Sequence, residues 1–305
     1  MTIVVVGSSN TDMIVKTARI PKPGETVIGG TFSMAAGGKG ANQAVAAARV
    51  GGKVTFVARV GADLFGTQAL KGFKADRINV KFVLRDKKAA SGVALIFVDA
   101  EGENSIAVAS GANAALSAAD IRKTKSAIAS SNVLLMQLET PIETVEAAAE
   151  IARKNHIPII LNPAPAQPLP ETLLNKISVL TPNEHEAELL TGIAVHGEED
   201  AARAADTLVR KGVSTVLITL GAKGTYVFAE EFKGLIQSYA VTAVDTTAAG
   251  DVFNGAFAVA FAEKRPLHDA VRFANAAAAL SVTKIGAQPS APTRREVEAF
   301  QRKHL

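Results

Sequence analysis

The sequence contains no cysteine and no tryptophan, and only two tyrosines. Without thiols there are no disulfides, no zinc–thiolate sites and no thiol nucleophile. That absence suits a reducing cytoplasm. Scarce aromatics leave few platforms for stacking nucleic-acid bases. No run reaches the roughly 18 uncharged apolar residues of a membrane helix. Thr2 to Val6 leads straight into Gly7, and the first basic residue is Lys16. No basic signal region is read there, so the expectation is a cytoplasmic chain. The pI is about 9.2, yet 33 basic against 29 acidic residues give a formal charge of only +4. The densest patches, Arg85-Asp86-Lys87-Lys88 and Arg294-Arg295, are short, whereas nucleic-acid binders cluster such charge on one face. Neither nucleic acid nor membrane is an expected partner.

What is present is a chain of 305 residues, 48% hydrophobic and 20% charged. That composition excludes a disordered protein and is long enough for one large α/β domain or two small ones. Ile3-Val4-Val5-Val6 is a β-branched run suited to a strand buried on both faces of a parallel sheet. A glycine-rich segment, Ala35 to Gly40, leads into the alanine-rich helix Asn42 to Arg49, stopped by Gly51-Gly52. Strands are predicted at Val54–Val60, Val133–Leu138, Ile157–Leu161, Val179–Leu180 and Thr215–Leu220. Helices are predicted at Leu64–Lys74, Glu143–Lys154, Glu184–Leu190 and Ala201–Lys211. This alternation implies right-handed crossovers and a mainly parallel sheet covered on both faces. Two segments break the pattern as hairpins: Gly92–Ala109, and Thr225–Ala240 around Glu230-Glu231. By pattern alone the first is either a projecting lid or an antiparallel edge of the main sheet. The last part is helical, at Ala249–Ala262, Leu267–Thr283 and Thr293–Lys303, with Gly286–Pro292 as a loop. No linker appears, so a single domain spanning 1–305 is the economical reading.

Four segments carry chemistry. In Val244-Asp245-Thr246-Thr247-Ala248-Ala249-Gly250-Asp251 a strand end runs through small residues into an apolar helix. Small side chains let a phosphate reach the free N–H groups of a helix start, where the dipole also favours an anion. A carboxylate there repels a phosphate, so Asp251 makes sense as a general base; helix capping is its alternative reading. Gly37-Gly38-Lys39-Gly40-Ala41-Asn42 is not a Walker A loop, and no GxGxxG follows the first strand. Its glycines can let a polyhydroxy ligand contact backbone beside Lys39 and Asn42, or can simply form a turn. Asn10 and Asp12, two apart, point to one side of a strand and can read adjacent hydroxyls; an Asx turn is the alternative. Asn183 and Glu186, three apart, share a helix face and can hold magnesium through waters, or can be an acidic helix start. Glu139, Asn162 and Thr219–Gly224 follow strand ends, where open α/β sheets bind ligands. The five histidines are scattered, with no HExxH pair.

Taken together, Gly37-Gly38-Lys39-Gly40-Ala41-Asn42-Gln43-Ala44 and Asp245-Thr246-Thr247-Ala248-Ala249-Gly250-Asp251 make a specific match. Between them lie Asn162-Pro163-Ala164-Pro165 and Asn183-Glu184-His185-Glu186. Nearly end to end, from Gly7 to Ser290, the chain resembles the phosphofructokinase-B type of sugar and nucleoside kinases. The resemblance implies an α/β fold, a mainly parallel sheet with helices on both faces plus a small β-sheet lid drawn from about residues 10–35 and 92–110. It implies phosphorylation of D-ribose at the 5-hydroxyl by ATP, giving D-ribose 5-phosphate and ADP. Asp251 would be the catalytic base, with Ala248, Ala249 and Gly250 forming the anion hole. Asn10, Asp12, Gly38, Lys39, Asn42 and Glu139 would hold the sugar together with Asp251. Asn183, Thr219, Leu220, Gly221, Ala222, Lys223, Gly224, Gly250 and Asn275 would line the nucleotide site. Some family members carry histidine where this chain has Asn275, and with no tryptophan the adenine is expected between apolar side chains. Glu186 would recruit magnesium through water. Asp245, Thr247, Ser281, Lys284, Gly286 and Ser290 would form a monovalent-cation loop for potassium. The lid would also be the contact of a homodimer.

Rival readings are a kinase of 2-deoxyribose, fructose or adenosine and a non-catalytic sugar-binding regulator. The intact Gly250-Asp251 and acidic motif weigh against the regulator. A nicotinamide dehydrogenase is disfavoured by the missing GxGxxG.

Overall fold

The computed structural model describes residues 1–304. The first third runs β1 (Thr2–Val6), β2 (Asn10–Lys16), β3 (Thr31–Gly37), α1 (Lys39–Arg49), β4 (Lys53–Gly61), α2 (Leu64–Ala75), β5 (Asn79–Asp86), β6 (Gly92–Val98) and β7 (Asn104–Ala109). It continues through α3 (Ala118–Arg122), α4 (Lys125–Ala129), β8 (Val133–Met136), α5 (Ile142–Lys154), β9 (Ile159–Leu161), α6 (Glu171–Leu174), β10 (Val179–Leu180), α7 (Glu184–Thr191) and α8 (Glu198–Arg210). The last part is β11 (Thr215–Thr219), β12 (Thr225–Phe228), β13 (Lys233–Ile236), α9 (Ala249–Ala262), α10 (Leu267–Ser281), α11 (Ala287–Ser290) and α12 (Arg294–Lys303).

Nine strands form one sheet in the order β13-β12-β11-β10-β9-β8-β1-β4-β5. Every pairing from β5 to β11 is parallel, and the β12–β13 hairpin adds an antiparallel edge. The second predicted hairpin is therefore that edge. Val4 and Val6 of β1 pack into one core cluster and Ile3 and Val5 into the other, so apolar cores cover both faces. β1 is the switch point: the chain proceeds to β4 on one side and later to β8 on the other. A crevice opens beyond the carboxyl end of such a strand, and the segments after β1 and β8 border it. No helix among the described residues is long and apolar enough to cross a membrane.

The first predicted hairpin is not an edge of this sheet. β6 and β7 join β2 and β3 in a separate four-stranded sheet, ordered β3-β2-β6-β7. It is mixed: β2 pairs antiparallel with β3 and parallel with β6. Its register aligns Asp12 with Ala35 and Ala94, on the face opposite Met13, Met34 and Leu95. β5, α3, α4 and α6 were not among the predicted elements, and the expected loop at Gly286–Pro292 contains the single turn α11. The short helices carry too few periods to show in a pattern, and β5, an eight-residue edge strand, is half polar and only partly buried.

Two helices bring the chemistry together. α9 is apolar nearly all round, and Val252, Phe253, Ala256, Phe257, Val259 and Ala260 are buried. It crosses α1 at Gly255, where a Cβ would meet Gln43 O at 2.6 Å, Ala46 Cβ at 2.7 Å and Ala47 N at 2.8 Å. Asp251 lies one turn earlier on the same face of α9. The missing side chain at 255 thus sets how close Asp251 comes to α1. Gly255→Ala is expected to push the helices apart, costing roughly 1–3 kcal/mol of stability in denaturant unfolding. A variant with the parent's unfolding midpoint would show that α9 can shift freely.

Candidate active site

Asp251 sits in the first turn of α9 and is buried. Its two oxygens take amide donors from consecutive residues of α1: Asn42 Nδ2 to Oδ2 and Gln43 Nε2 to Oδ1, each at 2.9 Å. It does not cap α9. The N-cap is Ala248, held at φ 61°, a left-handed conformation uncommon for a residue with a side chain, and no side chain caps the helix. The free N–H groups of the first turn therefore have no protein side chain upon them. Burial drives the Asp251 carboxyl upward, and Lys39, Asn42 and Gln43 oppose that pull without cancelling it.

Lys39 opens α1 beside three carboxylates. Burial disfavours its charge, but Asp251, Glu139 and Glu186 outweigh burial and hold the ammonium above its ordinary range. Glu139 follows β8 and reaches the start of α1: its Oε2 accepts the Lys39 backbone N–H at 2.9 Å and the Ser8 hydroxyl. It thus supplies from outside the helix the cap that Gly38 lacks. Gly38 has φ 90°, and a Cβ there would meet Asn10 N at 2.6 Å. Gly37 is bare because the Asp12 carboxyl lies over it. Burial, with Glu139 and Asp251 adding repulsion, pushes the Asp12 carboxyl up to about 6. Asn10 and Asp12 do share a face of β2, as their spacing required. Asn10 Oδ1 accepts Asn113 Nδ2 at 2.7 Å, while Asn113 Oδ1 takes the Ser9 N–H at 2.9 Å. Asn10 is thereby turned to offer its own N–H groups. Asn42 Oδ1, by contrast, is buried with no partner among the described residues.

A cleft of about 780 Å³ adjoins this crevice. Asn183, Thr219, Gly221, Ala222, Gly224, Gly250 and Asn275 all border it, as the sequence reading required. Two other expected lining residues do not. Leu220 is buried in the core, and Lys223 turns outward to donate to the His196 carbonyl at 2.8 Å. Asn275 has its amide committed to Thr225 Oγ1 and the Ile236 carbonyl, so it offers the cleft little polarity. Sequence reasoning missed the far wall, Ser238 to Ala243, which follows β13 without regular structure or a motif. Ala240 and Val241 of that wall, with Ala278 on α10 and Val282 at its end, form an apolar part of the lining.

Asn183 and Glu186 form a capping box: Asn183 Oδ1 accepts the Glu186 N–H at 2.8 Å and Glu186 Oε2 accepts the Asn183 N–H at 2.9 Å. Both readings of this pair survive, because the second Glu186 oxygen is uncommitted. Burial raises the Glu186 carboxyl, opposed by the Asn183 N–H and Lys39. No group of three or more histidine or acidic side chains is poised to cage a metal among the described residues. A magnesium ion that keeps its waters and arrives on a nucleotide fits that sparse set.

Asp245 ties two loops together, accepting Thr247 N at 2.9 Å and Gly286 N at 2.8 Å. These bonds outweigh burial and hold its carboxyl below the usual range. The other expected cation residues are otherwise engaged. Ser281 and Ser290 hydroxyls each donate at 2.8 Å to the carbonyl three residues back, and Lys284 reaches out to Glu296. Any cation held here would therefore rest chiefly on carbonyl oxygens and Asp245.

A carboxylate poised at a bare helix start, between a polar crevice and a partly apolar cleft, suits phosphoryl transfer to a hydroxyl. The pfkB family carbohydrate kinase pattern matches residues 1–294, and the chain belongs to that family. A ribokinase of Haemophilus influenzae is 48% identical over 98% of both chains. A deoxyribokinase of Salmonella typhi is 38% identical over 96% of both. The structure of an Arabidopsis thaliana ribokinase complexed with ribose and ATP superposes with TM-score 0.91, at 35% identity and 98% coverage of each chain.

Proposed function

We propose that the chain is an ATP-dependent kinase that phosphorylates the 5-hydroxyl of D-ribose, releasing D-ribose 5-phosphate and ADP. The observation that carries this reading is Asp251, buried at the bare N-terminus of α9 and gripped by Asn42 and Gln43. The Haemophilus relative and the Arabidopsis complex with ribose and ATP support the choice of substrates.

In this reading the sugar lies between Asn10, Asp12, Gly38, Lys39, Asn42 and Glu139. The unpartnered Asn42 oxygen accepts a sugar hydroxyl, Asp12 accepts another, and Asn10 donates. The nucleotide occupies the cleft, with Asn183, Thr219, Gly221, Ala222 and Gly224 around its phosphates and apolar residues around its base. The Asp251 carboxylate takes the proton of the attacking hydroxyl as the oxygen bonds to the γ-phosphorus and ADP leaves. Backbone N–H groups of Ala248, Ala249 and Gly250, with that of Asp251, stabilise the charge on the transferring phosphoryl, the Ala249 N–H first leaving the Thr246 carbonyl it meets at 3.2 Å. Glu186 would hold magnesium through water, and the ion would supply neutralisation of the phosphates. Asp245 and its neighbouring carbonyls would hold potassium, which would brace the Thr246–Ala248 loop.

The chain acts as one α/β domain, and the four-stranded sheet serves as its lid, excluding water from the transfer. The outer lid face exposes Phe32, Met34 and Leu95, side chains suited to burial against a second lid in a homodimer. The cysteine-free composition suits the cytoplasm.

The test is ATP-dependent phosphorylation across D-ribose, 2-deoxyribose, fructose, adenosine and no acceptor, each with potassium or a large organic cation. Ribose-selective turnover that rises with potassium is expected. Turnover on another acceptor would keep the mechanism and change the substrate. No turnover from folded protein that binds sugar would point to the regulator.

A further inference from the structure

We infer that Gln43 is a positioning residue for this reaction: a chain of buried amides, anchored on a backbone carbonyl, forces it to present an N–H to Asp251. The inference rests on the reading of Asp251 as the base. An amide side chain can present either its oxygen or its nitrogen, and a carboxylate gains only from the nitrogen. What fixes the choice is at the far end of the chain. Asn162 Nδ2 donates to the Thr181 carbonyl at 2.9 Å, and a carbonyl can only accept. Asn162 must then turn its Oδ1 toward Gln43, and it accepts Gln43 Nε2 at 3.1 Å. The same Nε2 gives its second hydrogen to Asp251 Oδ1. From the other side Gln137 Nε2 donates to Gln43 Oε1; the Gln137 oxygen has no partner among the described residues, so this contact follows the choice made at Asn162. Gln43 is fully buried, and its acceptor and both donor hydrogens are engaged.

The chain joins elements that converge only in the fold. Gln137 and Asn162 follow β8 and β9, Thr181 follows β10, and Gln43 and Asp251 lie on α1 and α9. Thr181 also donates its hydroxyl to Asn254 Oδ1, and Asn254 Nδ2 donates to the Gly250 carbonyl at 2.8 Å. One backbone segment at Thr181 thus orients both the base and the helix turn that carries it.

The charged groups facing Asp251 are Lys39 on α1, Asp12 on β2, Glu139 after β8 and Glu186 on α7. Lys39 is the one cation among them, so the amide donors matter for keeping Asp251 ionised. Removing an N–H donor disfavours the charged carboxylate and moves its titration upward.

Gln43→Glu keeps the shape and still accepts from Gln137, but sets an acidic oxygen against Asp251. The acid limb of kcat is expected to move up by about one pH unit or more. At pH 7 kcat falls by at least about tenfold, while KM for the sugar stays within about threefold. Gln43→Met, lacking both donor and charge, shifts the limb in the same direction by less. Circular dichroism and melting curves check that each variant is folded. If neither folds, Asn162→Ala, which removes the acceptor that orients Gln43, carries the same readout with a smaller shift. A loss of equal factor at every pH, or profiles that superimpose on the parent, would overturn the inference in favour of packing alone. Asp251→Asn is assayed alongside. Turnover retained in that variant overturns the base assignment, whereas turnover lost there with parent-like Gln43 profiles overturns only the role of Gln43.

Discussion

Asp251→Asn is expected to fold, to bind sugar and ATP, and to turn over about 10²–10⁴-fold more slowly than the parent, the range for losing a general base. The substitution is nearly isosteric in a site where volume matters, because α9 packs on α1 through Gly255. One of the two amide contacts will be lost, since Asn42 and Gln43 both donate and the new amide has a single accepting atom. The N–H groups at the start of α9 remain, so residual turnover reflects the anion hole and positioning alone. Single-turnover kinetics with calorimetric binding of each substrate separate chemistry from affinity. A kcat near that of the parent would mean that another group takes the proton.

Asp12→Ala is expected to act on the sugar instead. A hydrogen bond to an ionised group contributes roughly 1.5–3 kcal/mol, which corresponds to about a ten- to hundredfold rise in KM for ribose. The effect should show little in KM for ATP; a change confined to ATP would place Asp12 outside the sugar site. The position of the Asp12 titration, about 6, adds a pH signature. As pH falls through that value the carboxylate takes a proton and accepts sugar hydroxyls less well, so KM for ribose rises below pH 6. In Asp12→Asn that dependence should vanish, leaving only the kcat limb of Asp251. Stability should move the other way. Burial beside Glu139 and Asp251 holds the folded pKa above its unfolded value, so the charged form weakens the fold at neutral pH. Asp12→Ala should therefore melt no lower than the parent at pH 7, and a marked loss of stability would assign Asp12 a structural role. Strain kept at a site for the sake of a ligand has this form.

Much of this was legible in the residues. β1, β8, β9 and β11 announce themselves as β-branched or apolar runs, because a parallel strand covered on both faces has no polar side to show. Asp251 stood out as a candidate base because a carboxylate is a poor neighbour for a phosphate, and the structure removes helix capping as its alternative. Gln43 was visible inside the Gly-rich signature but silent, since nothing in Asn42-Gln43-Ala44 says that residues 137, 162 and 251 converge on it. Asn113 gave less: it lies in a short turn after β7, and its hold on Asn10 spans 103 positions of chain. The far wall of the cleft, Ser238 to Ala243, had no pattern at all. Lys223 carries a charge that suits a nucleotide site but reaches the His196 carbonyl instead, and the Lys284 ammonium, which would repel a cation, turns away to Glu296.

The sequence alone determined the layer order and the chemical types at the loop ends, because hydrophobic periodicity and glycine placement are local properties of the chain. It also placed Asn10 and Asp12 on one face wherever that segment is a strand, since alternation along a strand requires it. Only the tertiary structure decided that the Gly92–Ala109 hairpin leaves the main sheet, because strand pairing is a contest among distant edges. Only it decided which way the Asn162 and Gln43 amides point, for that choice is made by a carbonyl 70 residues from Asp251 in the chain, at Thr181. Hydrogen-bond direction is a property of the assembled network, and a network exists only once the strand ends and two helices have met.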